Sequence, residues 1–189
     1  AGIGLAQGMV AWAASYLFPP YVVAALALAA GVALTGGLHL DGLMDTADGL
    51  ASGKPPDQAL TIMRDSRVGA SGDSAALMVL LFQYASVLSL VNMGYARLVM
   101  VYAAVLALSR TAVVLAVVAY PYRRPQGLGS AFQGAGRREL VGALVWAAGI
   151  CWALHSWPGL LLLAGALGTA LVFCQWLARV FGGLTGDMY

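Results

Sequence analysis

Apolar positions in this chain do not alternate with polar ones; they fill whole stretches. Six such stretches, at about 2–18, 21–38, 74–93, 98–120, 140–156 and 159–181, approach the roughly 20 predominantly apolar residues that an α-helix needs to cross a bilayer. Pro19-Pro20 separates the first pair and Pro158 the last pair. Gly4 and Gly8 stand at Gly-x-x-x-Gly spacing, and Ala, Gly and Thr recur through 24–36 and 164–170, which lets helices pack closely in lipid and permits self-association into a homo-oligomer. The pattern predicts an all-α, polytopic membrane helical bundle of about six spans, forming one membrane-embedded domain over 1–189.

Six spans leave short connections on one side (18–21, 93–97 and the turn at Ser156–Pro158). Long polar ones lie on the other: 39–73, 121–139 and the tail from about 178. Lys54, Arg64, Arg67, Arg123, Arg124, Arg137, Arg138 and Arg179 fall on the long-loop side, Arg97 alone on the short-loop side, and Arg110 within a span. Positive residues mark the cytoplasmic side, so the long loops are expected to face the cytoplasm from the cell inner membrane. Asp41, Asp45, Asp48, Asp57, Asp65, Asp73, Glu139 and Asp187 lie on that side too, so the chemistry is expected there.

Composition agrees and adds exclusions. The 189 residues are 61% hydrophobic and 10% charged, with a mean hydropathy of +0.82. A soluble domain is closer to half apolar and a quarter charged. A net charge of +2 argues against a nucleic-acid partner. Cys151 and Cys174 lie in separate apolar stretches, as two buried thiols rather than a disulfide or zinc site.

The most informative stretch is Gly36-Gly37-Leu38-His39-Leu40-Asp41-Gly42-Leu43-Met44-Asp45-Thr46-Ala47-Asp48-Gly49. Asp41, Asp45 and Asp48 are spaced i, i+4, i+7, within an arc of about 60° on one helical face. Carboxylates that close repel one another, and a divalent cation relieves the repulsion. Oxygen ligands suit Mg²⁺ or Mn²⁺. The alternative is a solvated acidic face, but the stretch holds no Lys, Arg or Glu to mix the charges.

Ile62-Met63-Arg64-Asp65-Ser66-Arg67-Val68-Gly69-Ala70-Ser71-Gly72 adds a fourth carboxylate, two guanidiniums, two hydroxyls and glycines. Glycine permits close backbone approach and arginine reads phosphate bidentately. Asp73 is expected to cap the span that follows. Arg123 and Arg124, in Pro121-Tyr122-Arg123-Arg124-Pro125, are either an ordinary basic loop or a clamp on an anionic substrate. Arg110 must pair with a carboxylate, line a polar cavity, or both. His39 is a base, a ligand or a helix-end hydrogen-bonding group, and His155 has no assigned role. Together these features describe a metal-dependent membrane enzyme acting on a phosphate ester or diphosphate. A metal or cation transporter would need its carboxylates near the bilayer midplane, and a scaffold leaves the acidic arc unexplained.

The 36–49 and 62–72 motifs resemble those of the cobalamin synthase family, the adenosylcobinamide-GDP ribazoletransferases. Ser109-Arg110, Tyr120-Pro121-Tyr122-Arg123, Gly127-Leu128-Gly129 and Gly182-Gly183-Leu184-Thr185-Gly186-Asp187 resemble further family features in the same order. The family's opening and closing segments have no counterpart here, so the natural protein is expected to extend beyond both ends. The resemblance implies transfer of the cobinamide phosphate of adenosylcobinamide-GDP to the ribose 3′-hydroxyl of α-ribazole or its 5′-phosphate, with release of GMP and with Mg²⁺ as cofactor. It implies Asp41, Asp45, Asp48 and Asp65 as metal ligands. Arg64, Asp65, Ser66, Arg67 and Arg110 are then substrate-binding, with Arg123 and Arg124 as further candidates. Asp45, Asp48 or His39 would accept the nucleophile's proton; Asp48 is preferred by analogy with the CDP-alcohol phosphotransferases, lipid enzymes whose acidic signature is spaced differently. Asp187 is expected to reach the centre from the end of the sixth span.

Overall fold

The computed structural model describes residues 2–65, 67–123, 134 and 136–189. Seven helices follow in order: α1 (Gly2–Ala14), α2 (Pro20–Leu34), α3 (Leu38–Ala51), α4 (Pro56–Ile62), α5 (Ala70–Asn92), α6 (Tyr95–Ala119) and α7 (Arg137–Phe181), closed by a 3-10 turn at Gly186–Met188. Every apolar stretch identified in the sequence is helical. The polar stretch 39–73, expected as a connection, is itself largely two helices, α3 and α4.

The six-span expectation needs refinement. α5, α6 and α7 are long and apolar enough to cross a membrane, and α2 with α3 makes a fourth candidate if the pair is one span bent by 85°. At 1.5 Å per residue, α1 and α2 measure only about 20 and 23 Å, short of a hydrocarbon core about 30 Å thick. α7 has 45 residues but is no single rod. Ser156 breaks it at φ 54°, ψ −142°. Ala147, Cys151 and Leu163 then share one buried cluster, which requires the two limbs to fold back on each other. The sequence's fifth and sixth stretches are these limbs, and Pro158 opens the second, where it interrupts no established helical ladder.

Small residues set the packing. A Cβ at Gly4 would strike the Tyr102 carbonyl, and one at Gly8 would lie 2.9 Å from Val99 Cα, so this spacing does pack α1 against α6. Gln7 on the same helix is buried and donates from Nε2 to the Ala27 carbonyl at 2.8 Å. Gly36 and Gly37, with φ of 60° and 74°, occupy the left-handed region and turn the chain sharply from α2 into α3. One core joins α4, α6, the second limb of α7 and the tail through Ala59, Leu60, Met63, Ala116, Leu177, Phe181, Leu184 and Met188. That core fixes where α3 lies.

Candidate active site

α3 carries the acidic arc, and three neighbours border it. Gly42, Thr46 and Gly49 are its buried positions, spaced i, i+4, i+7. A Cβ at Gly42 would lie 2.6 Å from the Asp187 carbonyl oxygen, and Thr46 Oγ1 donates to the same oxygen at 3.3 Å. Gly49 faces Met63, just past the end of α4. On the other side of the arc, Met44 and Asp48 meet the start of α5 at Gly72. Asp41 and Asp45 therefore lie between the C-terminal segment and the N-terminus of α5, with Asp41 exposed and Asp45 half-buried.

The C-terminal segment is held in place by backbone pairing. Arg123 N donates to the Leu184 carbonyl at 2.8 Å and Leu184 N to the Pro121 carbonyl at 3.0 Å. Tyr122 and Tyr189 stack with ring centroids 6.3 Å apart. Burial, and after it the Tyr122 hydroxyl, pushes the Tyr189 phenol up to about 12. Asp187 thus arrives beside α3, as the sequence led us to expect.

Asp48 plays a part the sequence did not indicate. Its Oδ2 accepts from Gly69 N at 2.7 Å and its Oδ1 from Gly72 N at 2.8 Å. These are N-terminal amides of α5, whose own N-cap residue, Gly69, makes no side-chain cap. The expectation that Asp73 caps this helix is therefore corrected: Asp73 is in the first turn, and the capping carboxylate comes from α3.

Asp48, Ser52, Asp65, Arg67, Gly69 and Ser71 line a cleft of 310 Å³ that joins the first two motifs. Asp65 and Arg67 form an ion pair on its rim: Nη2 reaches Oδ2 at 2.7 Å, while Nε and the Arg67 amide both donate to Oδ1 at 3.0 Å. The Arg67 side chain first, and its backbone amide second, hold the Asp65 carboxyl down at about 2; the same pairing raises the guanidinium. Asp65 thus stays ionised across any physiological pH. Arg64 is exposed beside the cleft. Ser66, Arg124 and Gly127-Leu128-Gly129 lie outside the described residues.

Two basic candidates are committed elsewhere. Arg123 Nη2 donates to Asp57 Oδ1 of α4 at 2.9 Å, so it braces α4 against the tail. Arg110 pairs with no carboxylate in the ion pairs of the described residues; its Nη2 stands 2.6 Å from His39 Nε2. Because a guanidinium can only donate, Nε2 must be the acceptor and the imidazole is neutral with its proton on Nδ1. Both residues line a separate, mostly apolar cavity of 510 Å³ among α1, α2, α3, α5 and α6. His39, Leu40 and Leu43 face that cavity from the side of α3 turned away from the acidic arc. Of the placements expected for Arg110, a carboxylate partner, a polar cavity or both, the structure shows a cavity, a mostly apolar one, with His39 as the arginine's hydrogen-bond partner.

The four carboxylates expected as metal ligands, Asp41, Asp45, Asp48 and Asp65, are not brought together as one ligand set. Among the described residues, no three His, Cys, Asp or Glu side chains converge on one point. Asp41 and Asp45, one turn apart on one face, match the habit of Mg²⁺, which takes one or two carboxylates and completes its shell with substrate phosphates and water.

Fold and site together define a class: a helical membrane protein in which the acidic helix α3 and the Asp65–Ser71 stretch share a cleft. The cobalamin-5-phosphate synthase family matches residues 1–189. The chain belongs to that family. It is 37% identical over 194 residues to a protein of Desulfitobacterium hafniense, covering 99% of this chain and 76% of the relative. It is 39% identical over 196 residues to one of Brevibacillus brevis (99% and 77%) and 39% to one of Thermosynechococcus vestitus (99% and 76%). All three are named adenosylcobinamide-GDP ribazoletransferase. No solved structure matches the chain.

Proposed function

We propose that this protein carries out the reaction its relatives are named for, transferring the cobinamide phosphate of adenosylcobinamide-GDP to α-ribazole or α-ribazole 5′-phosphate. The observation that carries this reading is the shared cleft: the acidic arc of α3 lies beside a cavity lined by Arg67, Ser71 and the first residues of α5. Such a surface suits a diphosphate, whose oxygens take guanidinium and hydroxyl donors on one side and would take a metal ion held by carboxylates on the other.

In this mechanism Asp41 and Asp45 would hold Mg²⁺, which would supply charge neutralisation for the departing GMP. Arg67, held in orientation by Asp65, and Arg64 beside it keep the diphosphate in place for in-line attack. The ribose 3′-oxygen bonds to the cobinamide-side phosphorus, and the bond from that phosphorus to the bridging oxygen breaks. GMP leaves with that oxygen. The proton of the attacking hydroxyl passes to a carboxylate of the acidic arc. The basic residues of the long loops support a cytoplasm-facing site. A CDP-alcohol phosphotransferase or a cation transporter is favoured by no specific observation.

The test is incubation of the membrane-reconstituted protein with adenosylcobinamide-GDP, α-ribazole and Mg²⁺, with and without EDTA. Cobalamin should form only in the presence of metal, and Asp45→Asn should abolish turnover in a protein that still inserts and folds. Absence of product from the wild type, or wild-type turnover by Asp45→Asn, overturns the assignment.

A further inference from the structure

We propose that Asp48 is a positioning residue: it fastens the Arg67–Gly72 loop and the start of α5 to the acidic helix, and so sets the gap between the acidic arc and the groups that hold phosphate. The proposal rests on the transferase reading above and deepens it.

Three features converge on this joint. Both Asp48 oxygens are engaged by backbone amides 21 and 24 residues further along the chain. An acceptor that takes two N–H groups at the positive end of a 23-residue helix is doubly favoured, by hydrogen bonding and by the helix dipole. The two residues that donate are glycines with no room for anything larger. A Cβ at Gly69 would lie 2.5 Å from Asp48 Oδ1, and one at Gly72 would lie 2.7 Å from Oδ2 and 3.0 Å from the Met44 carbonyl. The carboxylate and the two glycines therefore form one fitted unit. Asp48, which itself lines the cleft, ties the acidic helix to the wall formed by the start of α5. Arg67 and Ser71 flank the glycines, so any slack at the joint moves the phosphate-holding groups relative to the arc.

The reconstituted full-length protein decides the matter through two readouts. Hydrogen–deuterium exchange over 66–76 reads the joint directly. In Asp48→Asn the amide can accept through only one atom, so exchange at residues 69 and 72 should accelerate about tenfold or more, the scale of a charge-assisted hydrogen bond. Asp45→Asn should leave it unchanged. Kinetically, Asp48→Asn should raise KM for the guanosine diphosphate donor about tenfold while the Mg²⁺ concentration for half-activity stays within about threefold. Gly72→Ala, which keeps the carboxylate but takes its space, should give the same split and carries the test if Asp48→Asn does not accumulate folded. Unchanged exchange in the variants, or a Mg²⁺ requirement that climbs tenfold while KM holds, overturns the proposal. If the wild type makes no cobalamin, the transferase reading fails on that ground, while exchange still reports separately on the joint.

Discussion

The junction between α3 and the C-terminal segment gives a sharp test in Gly42→Ala. The added methyl would lie 2.6 Å from the Asp187 carbonyl oxygen, 3.1 Å from its Cα and 3.2 Å from its carbonyl carbon. These are backbone atoms, so no flexible side-chain tip can swing aside. Nor is the segment free to retreat, because Leu184 pairs with 121–123 and is buried in the core with Phe181 and Met188. Overpacking of this kind costs about 1–3 kcal/mol, against which the better helix propensity of alanine returns about 1 kcal/mol. A net loss of up to about 2 kcal/mol corresponds to a Tm lower by up to roughly 8 °C for a chain of this size. Gly149→Ala, within α7, is the matched control: nothing lies within 4 Å of its Cβ position, so its Tm should equal the wild type or exceed it slightly. Both variants are melted in the same detergent, followed by far-ultraviolet circular dichroism. If Gly42→Ala melts at or above Gly149→Ala, the close seating of the tail on α3 is refuted.

Two further outcomes follow from pairings at the edge of the site. Arg123→Ala should cost at most about 1 kcal/mol in thermal stability and leave cobalamin formation near wild type, because its partner Asp57 is 87% exposed and the pair is largely solvated; a loss of turnover above tenfold would return Arg123 to the substrate-binding set. His39→Ala should destabilise the protein by at most about 1 kcal/mol by removing the acceptor of the Arg110 guanidinium, and His39→Gln, which can still accept, should recover at least half of that loss in the same melting assay.

Much of this architecture is legible in local sequence. Stretches of apolar residues fix the helices, and the 3.6-residue period puts Asp41, Asp45 and Asp48 on one arc. Gly42, Thr46 and Gly49 repeat the same i, i+4, i+7 spacing, a small-residue face that marks where another segment must approach, and it is the signal that could have located the tail. What local pattern does not carry is partner choice. Asp48 finds Gly69 and Gly72, Arg110 finds His39 across 71 positions, and Arg123 finds Asp57 across 66, because chain reversals bring them together. The expectation that Arg110 needs a carboxylate came from charge balance alone. A neutral imidazole satisfies its geometry.

The reversal at Ser156 bears on how the protein enters a membrane. Connecting two limbs through a single non-helical residue leaves no hydrophilic loop to carry across the bilayer. Trp152 and Trp157, 57% and 64% exposed around the turn, are the amphipathic rings that settle at a lipid–water boundary. The two limbs can therefore be inserted together as a preformed wedge, tip first. The opposite ends of the limbs carry Arg137, Arg138 and Arg179. The segment that follows the second limb is the one that closes over α3, so the limb and the site are joined through Phe181 and Leu184.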